Sequence, residues 1–214
     1  IVVQANVAGR DLRSVVGDIE KSIAANIVMP EGFYVEYGGQ FESEREATRI
    51  ITLLSIAAIL AIYLILYVEF RSFRTAILIM VNLPLALIGG IVAVLFSSGI
   101  ISVASLVGFI TLFGIATRNG ILMFSHYIHL MEEGKELKQA IRQGSMERLS
   151  PVLMTALSAG LALIPLAISG HQPGNEIQSP MAIVILGGLV SSTALNMVVI
   201  PALFLKFGRE KQSA

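Results

Sequence analysis

Five stretches of the chain are apolar for long enough to cross a bilayer, and the polar residues collect between them. They run over about 50–68, 75–96, 102–125, 151–168 and 181–205. A helical crossing needs about 20 mainly apolar residues. Ile50–Val68 holds 19 residues without a charge, and the polar, helix-prone run from Phe41 to Arg49 leads into it without a breaker. In the second span Pro84 predicts a kink, because proline frees a carbonyl one turn back, and Gly89-Gly90 follow it. Pro151 stands at the predicted start of the fourth span, where proline is favoured. Between the third and fourth spans, 126–148 is polar and amphipathic, which predicts a helix lying at the membrane surface.

The first 49 residues follow a different pattern. Ile1–Val7 and Phe33–Tyr37 alternate as strands do. Leu12, Val15, Val16, Ile19 and Ile23 recur at helical spacing behind Asp11, a suitable N-cap, and Pro30-Glu31-Gly32 makes a turn. The expected fold is therefore mainly α: a polytopic bundle of five transmembrane helices over 50–206, after a small N-terminal α/β (β-α-β) segment at 1–49. A polar tail follows at 207–214. That β-α-β is too small to be a whole domain, and the chain starts at Ile1 with no initiator Met. Both features predict a piece of something longer.

Composition agrees with a membrane protein. Hydrophobic residues make up 55% and charged ones 14%, against about 25% charged in soluble domains. No cysteine is present, which excludes disulfides and thiolate metal sites. The net charge of zero hides an asymmetry. Lys and Arg number two at 69–74, four at 126–148 and three from Lys206 onward, and none occur at 97–101 or 170–180. The positive-inside rule puts the basic side in the cytoplasm, so the N-terminal segment lies outside and the C-terminus inside. No phosphate loop, HExxH or nucleophile–base pair argues for an enzyme or a cofactor, and no basic patch argues for nucleic acid.

One charge breaks the apolar pattern. No Asp, Glu, Lys, Arg or His occurs from Thr75 to Thr117, and after Arg118 the next charged residue is Glu132. A helix over 102–125 buries Arg118 about 10 Å from its end at 1.5 Å per residue. A charge at that depth costs a few kcal/mol and faces a protein interior or a watery path. No apolar tract of the chain carries a carboxylate, so the partner must come from elsewhere. The plainer reading is a snorkelling arginine, but the helix end is beyond comfortable reach.

The run Phe113-Gly114-Ile115-Ala116-Thr117-Arg118-Asn119-Gly120-Ile121-Leu122-Met123 resembles the tenth transmembrane helix of resistance–nodulation–division (RND) exporters. Gly144–Thr155 resembles the entry to their eleventh. Glu176–Met181, followed by Gly187-Gly188, is similar to the start of the twelfth in the heavy-metal-efflux branch. Glu36–Glu42 matches the family's exit from its second periplasmic porter loop. The resemblance implies the last fifth or so of a proton-driven, bacterial inner-membrane pump, with residues 1–49 periplasmic. It further implies a homotrimer working with a periplasmic adaptor and an outer-membrane channel, embedded in lipid, exchanging metal cations for protons. By motif match the proton-relay residues are Arg118, Arg148 and Thr155; the titrating aspartates lie on a helix outside this chain. Asn119, beside Arg118, is placed with them, either to orient it or to pack helices through a hydrogen bond. Taken alone, Arg148 reads as a positive-inside anchor and Thr155 as a hydroxyl bonding a carbonyl one turn back.

Other features stay open. A drug- or lipophile-exporting RND pump and a non-transporting scaffold are the alternatives, and a scaffold has no need of a buried charge. His126, His129 and Glu132 share a helix face but sit at the interface, where such residues are ordinary. Met80, Met123, Met154, Met181 and Met197 are scattered as packing methionines are, so no metal-ligand set is assigned. The glycines Gly89, Gly90, Gly108, Gly114, Gly120, Gly187 and Gly188 are expected at close helix approaches, with Gly114, Ala116 and Gly120 admitting the partner of Arg118.

Overall fold

The computed structural model describes residues 2–7, 12–97, 99–172, 174–175 and 177–207. Asp11, Pro173, Glu176 and the tail beyond 207 therefore lie outside the described residues, as does Ile1 of the expected first strand. The chain divides into two compact units, Ile1–Leu53 and Leu54–Ala214.

In the first unit the helical spacing forms helix α1, Leu12–Asn26, none of whose residues is buried. The turn forms too: the Phe33 amide donates to the Pro30 carbonyl at 3.1 Å, with Gly32 at φ +85. The strands do not. Among the described residues no strand is present, and 2–7 and 33–37 are irregular and largely exposed. The expected α/β segment is thus corrected to helix, turn and extended chain. Alternation gives a segment strand propensity, but a strand exists only through ladder bonds to a neighbour, and a two-stranded pairing is marginal in water. Unpaired N–H and C=O groups gain nothing from β geometry.

Helix α2, Gln40–Phe70, begins in this unit and continues through the first apolar span. Then come α3, Phe73–Met80, and α4, Asn82–Phe96. Together with α5, Val103–Glu132, α6, Leu137–Ile168, and α7, Gln178–Phe207, they supply five helical spans long and apolar enough to cross a membrane. The break between α3 and α4 lies at Val81, three residues before Pro84. Pro84 has no N–H for the Met80 carbonyl, and its ring crowds that turn. Pro151 is instead inside α6. The stretch 126–148 is not a helix of its own, because α5 runs on to Glu132 and α6 starts at Leu137. The joint is a glycine C-cap: Gly134 takes φ +91 and the Lys135 amide donates to the Leu130 carbonyl at 3.1 Å. That geometry satisfies the last carbonyls of α5.

Helix α7 lies against α4, α5 and α6. Its crossing with α4 uses small residues: a side chain on Gly89 would overlap Ser191 and the Gly187 carbonyl, and one on Gly187 would overlap Ala93. The Ser191 hydroxyl donates to the Leu85 carbonyl at 3.2 Å across the same crossing. Without a hydrophobic drive between helices in lipid, such close approach is what holds them. Two apolar clusters fill the interior, one around Leu66, Ile79, Phe124, Tyr127 and Phe204, the other around Leu83, Phe109, Leu112 and Val184.

Candidate functional site

Helix α5 is fixed at its start by Ser102, whose hydroxyl accepts from the Ser105 amide at 3.2 Å. It buries Gly108, Phe109, Leu112, Phe113, Ala116, Thr117, Gly120, Met123, Phe124 and Tyr127. Among the residues it leaves exposed, Val107, Thr111, Gly114, Arg118 and Ser125 recur at steps of four, three, four and seven. They form one face of a helix. Arg118 therefore stands on an exposed side of α5, and no described residue hydrogen-bonds or pairs with it. Gly114, one turn away on the same face, has open space where a side chain would be.

Its neighbour Asn119 points the other way and is buried. Gly120 is also committed inward, since a Cβ there would lie 2.6 Å from Asn82 Nδ2 and 3.0 Å from Ile79. The Asn82 amide reaches the Ala116 carbonyl at 3.5 Å. Of the three small residues expected to admit a partner for Arg118, only Gly114 lies open; Ala116 and Gly120 serve the packing of α5 on α3 and α4.

On α6, Arg148 is half-buried and Thr155 exposed. They lie seven residues apart, hence on one face, separated by about 10 Å along the axis. The Thr155 hydroxyl donates to the Pro151 carbonyl at 2.6 Å, which leaves its oxygen lone pairs as acceptors. No hydrogen bond or ion pair joins Arg118, Asn119, Arg148 and Thr155 to one another among the described residues.

The histidines separate. His126 Nε2 meets Glu147 Oε2 on α6 at 2.6 Å, and Gln143 donates to the other oxygen of Glu147 at 2.7 Å. His129 pairs with Glu133 at 3.3 Å. The hydroxyls of Tyr127 and Ser145 lie 2.6 Å apart, and Gly144 lets the Tyr127 ring against α6. Among the described residues no three His, Cys, Asp or Glu converge as a metal site. Met123 is fully buried, with Met80, Met131 and Met197 packed against its cluster. The sequence reading missed a set of buried polar residues in the spans, namely Asn82, Thr117, Thr193 and Asn196. Their only signal is polarity inside an apolar tract.

Five helices long and apolar enough to cross a membrane, with Arg118 on an exposed face of α5, fit a multi-pass membrane protein. The family model described as AcrB/AcrD/AcrF matches residues 1–208, and the chain belongs to that family of RND permeases. It is 39% identical over 214 residues to the "Cobalt-zinc-cadmium resistance protein CzcA" of Cupriavidus metallidurans, covering 100% of this chain and 20% of that protein. It is 31% identical over 206 residues to the "Cation efflux system protein CusA" of Escherichia coli K12, covering 91% of this chain and 20% of the relative. The fold matches a crystal structure of a heavy metal efflux pump (crystal form II) with a TM-score of 0.82 and 36% identity. That match covers 94% of this chain and 20% of the other. The chain thus spans about a fifth of the length of these relatives.

Proposed function

We propose that this chain is part of a proton-driven RND pump exporting heavy-metal cations, and that Arg118 is its fixed countercharge. The observation that carries the reading is the placement of Arg118 on the open face of α5 beside Gly114. Resemblance to proteins named for metal resistance and cation efflux supplies the substrate class.

The mechanism follows from the chemistry of the side chain. A guanidinium is a permanent cation, so Arg118 serves as a fixed charge and not as a proton carrier. A carboxylate brought against it by a helix from the rest of the pump stays ionised while the pair is intact. Protonation of that carboxylate from the outer side neutralises it and frees Arg118. Two pairings then correspond to two helix arrangements, which is the bistable element that coupling requires. Arg148 and Thr155, on one face of α6, would take the released pairing, Thr155 through its free lone pairs and Arg148 as a second positive charge. Asn119 belongs to the inner packing of α5 and would fix the rotation of that helix, so its part is positioning.

In the whole pump the basic loops lie in the cytoplasm and residues 1–49 in the periplasm. The pump works as a homotrimer with a periplasmic adaptor and an outer-membrane channel. The experiment is a resistance assay of the full-length protein in a pump-deficient bacterium challenged with zinc, cobalt, cadmium, copper, silver and lipophilic drugs. Wild-type protection against metals that is lost in Arg118→Ala, at equal membrane expression, is expected. Protection unchanged by the substitution would return Arg118 to a structural role, and protection against drugs alone would replace the substrate class.

A further inference from the structure

Helix α6 buries few of its side chains. Of its 32 residues, Ala140, Ile141, Gly144 and Val152 are buried, and none is beyond Val152. Interlocking of side-chain ridges and grooves, which elsewhere fixes one helix on another, therefore leaves its rotation loosely set. Polar contacts take over at its two ends. Near its C-terminus the Ser179 hydroxyl of α7 donates to the Ala167 carbonyl at 3.1 Å. Near its N-terminus the contacts with α5 collect within residues 143–147.

Those contacts form a three-point grip. Its centre is a notch at Gly144, where a Cβ would lie 2.7 Å from the Tyr127 ring and 3.2 Å from the His126 ring. Tyr127 is fully buried, so the seated ring resists sliding of α6 along α5. Its hydroxyl meets that of Ser145 at 2.6 Å. His126 Nε2 meets Glu147 Oε2 at 2.6 Å, and Gln143 donates to Glu147 Oε1 at 2.7 Å. An ionised carboxylate only accepts, so the imidazole donates through Nε2. At 3.6 residues per turn, Ser145 stands about 100° to one side of Gly144 and Glu147 about 60° to the other. Rotation of α6 in either sense stretches one of the two pairs.

Arg148 and Thr155 lie inside the arc so fixed. Counted from Gly144 they stand at about 40° and 20°, roughly one and three turns further along α6. Glu147 does not serve Arg148 as a countercharge, since adjacent helix residues do not face each other and both its oxygens are engaged. We propose that His126–Glu147 and Tyr127–Ser145 are positioning pairs, which fix the rotation of α6 on α5 and so aim Arg148 and Thr155 at the rest of the pump. The fixed rotation stands on the contacts alone, whereas what the aimed residues do rests on the reading of the chain as part of a proton-driven exporter. An exposed ion pair adds little to stability, so the grip shows in transport rate and not in melting.

The test compares full-length wild type, Glu147→Ala and Glu147→Gln. Electron cryo-microscopy in lipid nanodiscs reads the rotation of α6. Proteoliposomes under a pH gradient read transport, with zinc, cobalt and cadmium as probes. In Glu147→Ala, α6 is expected to turn against α5 and carry Arg148 with it. The maximal transport rate falls about tenfold or more, since a misplacement of about 1 Å can cost about 100-fold, while KM and the melting temperature hold. Glu147→Gln, whose amide oxygen still accepts from His126, restores both position and rate. Tyr127→Phe, which keeps the ring in its notch, gives the same reading on the other pair if Glu147→Ala does not fold. An unmoved α6 in the alanine variant would overturn the proposal. So would a rate that glutamine does not recover, which would make the charge the cause. A melting temperature that falls in step with the rate would reduce the grip to ordinary packing. If wild type moves no metal, the exporter reading fails and microscopy alone decides the grip: a turned α6 upholds it and an unmoved one sinks it.

Discussion

Arg118 was legible in the sequence because a lone charge in an apolar tract has few explanations. Which way it points was not. A helix of apolar and small residues offers no hydrophobic face, and only contact with α4 and α7 decided that Thr117, Asn119 and Gly120 turn inward and Arg118 outward. The same blindness hid Asn82 and Asn196, whose burial depends on register with other helices. The placement separates charge from shape at position 118. Arg118→Lys keeps the charge but loses the planar fork, so metal resistance is expected to fall part way in that variant and to vanish in Arg118→Ala. At Thr155 the hydroxyl is bonded within its own helix. Thr155→Val is expected to shift unfolding by less than about 0.5 kcal/mol while lowering transport, and Thr155→Ser should restore it. A loss of thermal stability matching the loss of transport would make the hydroxyl structural.

Element boundaries were readable wherever local chemistry sets them. Ser102 starts α5, and Pro84 breaks the second span at Val81, as its missing N–H requires. Elsewhere the sequence misled because partners decide. The strands expected at 1–7 and 33–37 had the right alternation, but among the described residues there is no ladder for them to join. Pro151 looked like a first residue, yet α6 continues through it from Leu137. The glycines make a prediction at this scale. Gly120 meets Asn82 and Ile79, whereas Gly114 meets nothing in this chain. Gly120→Val is expected to destabilise the helical unit by about 1–3 kcal/mol through overpacking, seen as a lower melting temperature of the purified protein. Gly114→Val should leave that unit intact and impair only what docks on the outer face, read as lost resistance at normal expression. At the joint between them, His126 and Glu147 tie α5 to α6. A solvent-exposed pair of this kind contributes little, and a double-mutant cycle on the unfolding free energy should return only a small coupling.

At the scale of the whole molecule, one charge and one open glycine face a side that the chain does not fill, while the chain spans a fifth of its relatives' length. A positive charge exposed on one face of an apolar helix, with no carboxylate beside it among the described residues, fits one half of a pair. The central claim is therefore that the rest of the pump supplies a titrating carboxylate to Arg118, and that this pairing couples protons to metal. The direct measurement is metal transport by the full-length protein in proteoliposomes driven by a pH gradient, with proton flux recorded alongside, for wild type and Arg118→Ala. The account predicts that wild type moves metal and protons together, and that the variant loses both while its assembly and melting temperature hold. Coupled transport persisting in Arg118→Ala would contradict it.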